Sequence, residues 1–233
     1  MRIVIVGTGT DVGKTHVSAC LLAYARSRAL GMAAYKPVAT GVTSRCDDCL
    51  VHAAALGTAY VAPSYAYARP VSPHLAAREE GRPIDLSFIV ERARAMEITP
   101  EAGSLLVETA GGLHSPLGDA LTNADLALRL LPAHVLLVAP DRIGVLHDVR
   151  ACTLAAQARG LRVSAVVLSA PAALDASSGT NGPELEVLGL GPVAASFPRA
   201  RFDAPESIAV AERVWDGLLR YAPAEEARRP RRC

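Results

Sequence analysis

Lysine is almost missing from this chain. Of the 24 Lys and Arg residues only two are lysine, Lys14 and Lys36. Aromatic residues are scarce as well, at 4%. No apolar run nears the roughly 18 residues that a membrane-spanning helix needs. The chain enters Arg2-Ile-Val-Ile-Val6 without the charged start, long apolar stretch and cleavage site of a signal peptide. Five cysteines, an odd number without the spacing of a disulfide framework, suit a reducing compartment. Formal net charge is +1 and no basic stripe crosses the body of the chain, which speaks against nucleic acid or an acidic membrane as partner. A soluble, cytoplasmic protein is the expectation.

What is present fits one α/β domain. Hydrophobic residues make up 51% of 233, ample for a large core. Short β-branched runs alternate with longer helical patterns. Strands are expected at Arg2–Val6, Ala33–Lys36, Leu105–Glu108, Val135–Pro140 and Arg162–Leu168. Helices are expected at Lys14–Leu30, Leu50–Leu56, Leu86–Met96, Asn123–Leu131, Val145–Arg159 and Pro205–Tyr221. Apolar strands separated by helices predict a doubly wound, mostly parallel sheet covered on both faces, with its ligand site beyond the carboxyl ends of the strands. Residues 1–222 form that domain, and Arg228-Arg-Pro-Arg-Arg232 marks residues 223–233 as a disordered, arginine-rich tail. The Ala-, Ser-, Gly- and Asn-rich stretch Ala170–Pro183 is the other segment expected to lack order. Cys46-Asp-Asp-Cys49 has no second cysteine pair to complete a zinc site, and it reads as two incidental thiols near a helix start.

The two lysines stand in Gly7-Thr-Gly-Thr-Asp-Val-Gly-Lys-Thr15 and Lys36-Pro-Val-Ala-Thr-Gly41. Lysine is a compact, flexible point charge where arginine is a rigid fork. Strand, glycine loop, Gly-Lys-Thr and helix is the order that cradles a nucleoside triphosphate. Loop N–H groups and the helix N-terminus face the phosphates, lysine reaches the outer ones, and the Thr15 hydroxyl is placed to ligate Mg²⁺. Standard spacing would put the first glycine at position 8, which is Thr8; here it stands one residue early, at Gly7. A dinucleotide fingerprint would need glycine at position 12, which is Val12.

This loop resembles the phosphate loop of the dethiobiotin synthetases, a family of P-loop NTPase-like fold. Four further stretches resemble that family in order: Lys36–Gly41, Ser72–Pro83, Val107–Gly112 followed by Ser115-Pro-Leu117, and Asp141-Arg-Ile-Gly144. They cover the chain to about Leu168, with weaker similarity through Phe197-Pro198. The resemblance implies that ATP, Mg²⁺, CO2 and 7,8-diaminononanoate (7,8-diaminopelargonate) are converted to dethiobiotin through a carbamate and its mixed anhydride with phosphate. It implies Lys14 and Lys36 as catalytic groups. Nucleotide contacts would come from Thr10, Asp11, Val12, Gly13, Lys14, Thr15, His16, Asp48, Glu108, Thr109, Ala110 and Gly111. Ser169, Ala170, Pro198 and Arg199 would lie near the base. Thr15, Glu108 and an aspartate after the second strand would hold magnesium. Asp47 and Asp48 both qualify, and Asp48 is favoured because the helical segment Cys49–Leu56 starts directly after it. Thr40 would touch the substrate. Gly144, Val145, Leu146 and His147 would take its carboxylate from the partner in a homodimer.

The chain departs from the family at Ser169-Ala-Pro171, where asparagine often reads the adenine edge, at Arg199, and at Val145-Leu-His-Asp148. These departures leave base and carboxylate recognition open. Two other readings share the loop. A partitioning-type nucleotide switch has an extra lysine near the loop start, where this chain has Gly7, Thr8 and Gly9. A cobyrinate-amidating ligase carries a glutaminase domain for which 233 residues leave no room.

Overall fold

Ile3 and Ile5 face one side of strand β1 (Arg2–Gly7), Val4 and Val6 the other, and all four are fully buried. Two-sided burial of this kind stabilises by about 1.5–3 kcal/mol per side chain and places β1 in the middle of a sheet. The computed structural model describes residues 1–97, 103–190 and 193–220. In it six strands pair in parallel in the order β2-β5-β1-β6-β7-β8. The other strands are β2 (Met32–Tyr35), β5 (Ser104–Glu108), β6 (His134–Pro140), β7 (Ala165–Ser169) and β8 (Val193–Phe197), and β1 pairs with β5 and β6. The doubly wound parallel sheet expected from the sequence is the fold observed.

Helices α1 (Lys14–Ser27), α2 (Asp47–Leu56) and α8 (Pro205–Arg220) lie on the face carrying Ile3, Ile5, Leu136 and Val167. The opposite face, with Val4, Val107, Leu137 and Leu168, is covered by α4 (Leu86–Glu97), α5 (Asn123–Leu130), α6 (Val145–Ala158) and α7 (Asn181–Val187). A two-stranded parallel sheet of β3 (Val38–Thr40) and β4 (Tyr65–Tyr67), with α3 (Pro73–Glu79), sits at one end.

Several boundaries differ from expectation. α2 starts at Asp47, not Leu50 or Cys49, because Cys46 is its N-cap and Asp47 and Asp48 stand in its first turn, where carboxylates favour the helix dipole. α1 stops at Ser27, and Ala29 is left-handed at φ 52°. The strand expected at Arg162 begins at Ala165. Ala170–Pro183 is built rather than disordered. Buried Asp141 accepts from Gly179 N and Asn181 Nδ2, at 2.9 and 2.7 Å, and Asp175 accepts from Ile143 N at 2.8 Å. Those carboxylates replace the apolar contacts that the composition lacks. The tail, 223–233, lies outside the described residues.

Candidate active site

β1 ends at Gly7, and the chain turns at once into the loop that opens α1. A Cβ on Gly7 would sit 2.9 Å from the Gly9 carbonyl oxygen and 2.9 Å from a Val12 methyl. The turn therefore closes only on glycine, which is why glycine stands here rather than at position 8. Gly13 is the N-cap of α1 at φ 93°, and a Cβ there would meet Ser169 Oγ at 2.3 Å. A glycine N-cap supplies no side-chain acceptor, so the first N–H groups of α1 face the loop as an anion-binding end. Thr10, Asp11 and Gly13 border cavities on both sides of it.

The larger part of the chemistry lies in a cavity of about 490 Å³ between this loop, β5 and α2. Lys14 leans across the loop and donates from Nζ to the Gly9 carbonyl at 2.9 Å. Burial, and then the nearby charge of Lys36, lower its ammonium to about 8. Lys36, only 6% exposed, leaves the end of β2 and ion-pairs with Asp48 Oδ2 at 2.5 Å and Glu108 Oε1 at 2.7 Å. Burial opposes its charge, but Glu108 and Asp48 outweigh burial and hold its pKa above the ordinary lysine range.

Glu108 is fully buried at the end of β5. Burial alone would favour the neutral acid, yet Lys36 and His52 keep its pKa well below the usual carboxylate range. Its Oε2 meets His52 Nε2 at 2.8 Å. Thr15 Oγ1 lies 2.8 Å from Asp48 Oδ1 and 2.9 Å from Glu108 Oε1. One hydroxyl proton cannot serve two carboxylates, so these oxygens leave a negative centre beside the phosphate loop.

Asp47 borders the same cavity but is exposed and takes no part in these contacts. Thr40, Ala110 and Gly111 line it too. Thr109 does not: it is buried and its hydroxyl donates to the Ile5 carbonyl at 3.1 Å, tying β5 to β1. Its side chain is thus spent on a structural bond. Cys46 and Cys49 are both buried and free of a disulfide, packed with Ala39.

Val12, Ser169, Ala170 and Arg199 border a second cavity of about 650 Å³ across the loop, together with Arg142. His16 Nε2 donates to the Pro198 carbonyl at 2.9 Å, which fixes the loop after β8 against α1. Ser169, buried at 6% exposure, stands against Gly13 at the edge of that cavity. Gly144, Val145, Leu146 and His147 border neither cavity. Gly144 caps α6 at φ 91°, with Val145 buried and His147 exposed.

Sequence reasoning missed His52 as a partner of Glu108. Its signal was the i, i+4 spacing from Asp48, which puts both side chains on one face of α2.

A family model described as an AAA domain matches residues 1–201. The ATP-dependent dethiobiotin synthetase BioD of Caulobacter sp. (strain K31) is 40% identical over 172 residues, covering 71% of this chain and 74% of that one. The corresponding enzyme of Parafrankia sp. (strain EAN1pec) is 37% identical over 201 residues, covering 84% and 83%. BioD 1 of Escherichia coli O157:H7 is 36% identical over 173 residues, covering 70% and 75%. Among solved structures, the MinC:MinD cell division complex of Aquifex aeolicus superposes with a TM-score of 0.55 at 11% identity, covering 94% of each chain. MinD of Pyrococcus horikoshii OT3 complexed with Mg-ADP does so with a TM-score of 0.53 at 16% identity, covering 96% of this chain and 89% of that one. At such identities those two likenesses establish the fold alone, whereas the sequence relatives speak with one voice: this chain belongs to the ATP-dependent dethiobiotin synthetase family.

Proposed function

We propose that this chain closes the ureido ring of dethiobiotin from 7,8-diaminononanoate, CO2 and ATP in the cytoplasm. The observation that carries this reading is a buried lysine, Lys36, held by two carboxylates at the rim of a phosphate loop that already has its own Lys14. A partitioning-type switch carries its second lysine in the loop itself, whereas Lys36 comes from the end of β2. A second point charge beside it serves a second anion.

The chemistry proceeds in three steps. A substrate amine attacks CO2: its lone pair forms the N–C bond, one C–O π pair moves to oxygen, and a proton leaves to water. The carbamate oxygen then attacks the γ-phosphorus and ADP departs. The second amine attacks the carbonyl carbon of the mixed anhydride, releasing phosphate and a proton as the ring closes. Each step gathers or moves negative charge, which Lys14 and Lys36 stabilise at close range.

Thr15, Asp48 and Glu108 fit a magnesium ion, because two carboxylate oxygens and a hydroxyl are hard ligands that converge with too few protons among them. Bound there, it would offset charge on the β- and γ-phosphates. Asp48→Asn is expected to raise the magnesium concentration needed for half-maximal rate by about tenfold, since one charged ligand is lost. Asp47→Asn should stay close to wild type. A magnesium titration of both variants checks this, and a larger shift for Asp47 would overturn the assignment.

The test of the function is direct. Protein, Mg-ATP, bicarbonate and diaminononanoate are incubated, and dethiobiotin is sought by mass. Phosphate release that ignores the diamine would instead favour the switch.

Base recognition is expected to be loose, because Ser169 offers one rotatable hydroxyl where asparagine offers a donor and an acceptor. CTP, GTP and UTP should support the reaction within roughly tenfold of ATP, about 1.4 kcal/mol. Values of kcat/KM for the four nucleotides decide it, and a thousandfold preference for ATP would sink the idea. The N-terminus of α6, capped by Gly144 and followed by His147, is proposed to receive the substrate carboxylate across a homodimer. Sedimentation equilibrium would expose a monomer.

A further inference from the structure

Behind Lys36, on the side away from the phosphate loop, lies a separate cavity of about 280 Å³. It sits between α2 and β2, the edge strand of the main sheet. It opens to solvent past Thr58, Ala59 and Val61, all exposed. The cavity exists because small residues stand where large ones would fill it: Ala33 and Ala34 on β2, Ala53 on α2, and Ala59 in the loop beyond. Met32, Leu56, Val61 and Met96 complete an aliphatic lining. Its polar exceptions are Thr58 at the exposed rim and a group around Cys49, His52 and Lys36. Lys36 and His52 are the two side chains bonded to Glu108, and Lys36 borders the catalytic cavity as well.

We propose that this cavity admits and holds CO2 and delivers it to the amine beside Lys36. The inference rests on the ring-closing function above. Three substrates must meet there. ATP and the diamine are both charged and enter where charged groups line the way, along the phosphate loop. CO2 is uncharged and has no net dipole, so it gives up almost no solvation on entering an aliphatic passage. Bicarbonate, a hydrated anion, would have to shed its water along the aliphatic walls, where burying an unpartnered polar group is costly, and the Lys36 and His52 groups at the inner end are already bonded to Glu108. Its aliphatic lining thus favours the species that reacts with an amine over the more abundant one that does not. The lysine at its inner end lies where the newly formed carbamate needs a countercharge.

The test fills the cavity from two separate elements, Ala53→Leu on α2 and Ala59→Phe in the loop. The rate is measured against dissolved CO2 with ATP and diamine saturating, and each variant is checked for an unchanged melting profile. The KM for CO2 is expected to rise by roughly tenfold, the scale of one poorly accommodated group in an apolar site. The KM values for ATP and diamine should stay near wild type. In crystals pressurised with CO2, density for the gas should appear in the wild-type cavity and vanish in Ala59→Phe. Three results would overturn the proposal: filled variants that respond to CO2 as the wild type does, a KM increase falling on the diamine instead (which would assign the cavity to its alkyl chain), or no gas density in the wild-type cavity. A wild type that forms no dethiobiotin removes the function itself, whereas active wild type with indifferent variants removes only the passage.

Discussion

Lys36→Ala is expected to lower dethiobiotin formation by between a hundredfold and a thousandfold, the scale of removing one preorganised charge from a transition state (about 2.7–4 kcal/mol). The same change leaves Asp48 and Glu108 facing each other across Thr15 without their cation, so the protein should also melt earlier. The two effects separate by measuring both, because residual folded enzyme with added magnesium should regain stability but not rate. Lys36→Arg is the sharper case. Nζ is 2.5 Å from one carboxylate and 2.7 Å from the other in a buried slot. A planar fork needs more room and cannot turn between carboxylates and a carbamate as an ammonium does. Near-normal turnover by Lys36→Arg would remove the role assigned to the second lysine.

Glu108→Gln should be the most damaging single change that preserves shape. The carboxylate is fully buried, and Lys36, His52 and Thr15 all reach it. Glutamine keeps the volume but leaves Lys36 with one anion instead of two. Breaking a buried pair costs about 3–5 kcal/mol. For a chain of this size each kcal/mol moves the midpoint by roughly 2–4 °C, so a fall in Tm of about 6 °C or more is expected. The magnesium requirement should rise with it, because a charged oxygen ligand becomes a neutral one. Calorimetry and a magnesium titration check the two parts. A variant that melts and titrates like wild type would show that Glu108 is a spectator.

The strands of the central sheet were legible because they are buried on both faces. Ile3–Val6 and Val135–Pro140 read as continuous apolar runs, and no helix of their length could hide such a pattern. β3 and β4 were not legible. Three residues each, with Ala39 and Ala66 at their centres, carry no periodicity. β8 reads Val-Ala-Ala-Ser-Phe and α7 holds Pro183, so both lie outside ordinary propensity and are formed by what they pack on. In the site, Lys14, Lys36 and Glu108 were legible because each follows a strand or a glycine signal. Asp48 needed its register. His52 carried only its i, i+4 spacing from Asp48, and its meaning depends on Glu108, 56 residues later. The small apolar cavity was invisible for the same reason: alanines in a sequence do not say what surrounds them.

The position of β1 governs how this protein can be made. Val4 pairs with Val107 on one side and Val135 on the other, so β1 is made long before either neighbour and waits longer than the other strands of the sheet for both. At synthesis rates of about 5–20 residues per second, the wait is on the order of ten seconds. Through that interval Ile3-Val-Ile-Val6 is an apolar strand with two open edges, a template for association with other nascent chains. The phosphate loop hangs from its end and has no shape to offer a nucleotide until both neighbours arrive. Fragments ending before β5 should therefore precipitate rather than bind ATP, and expression at low temperature or with a chaperone that shields the amino terminus should raise the yield of active enzyme.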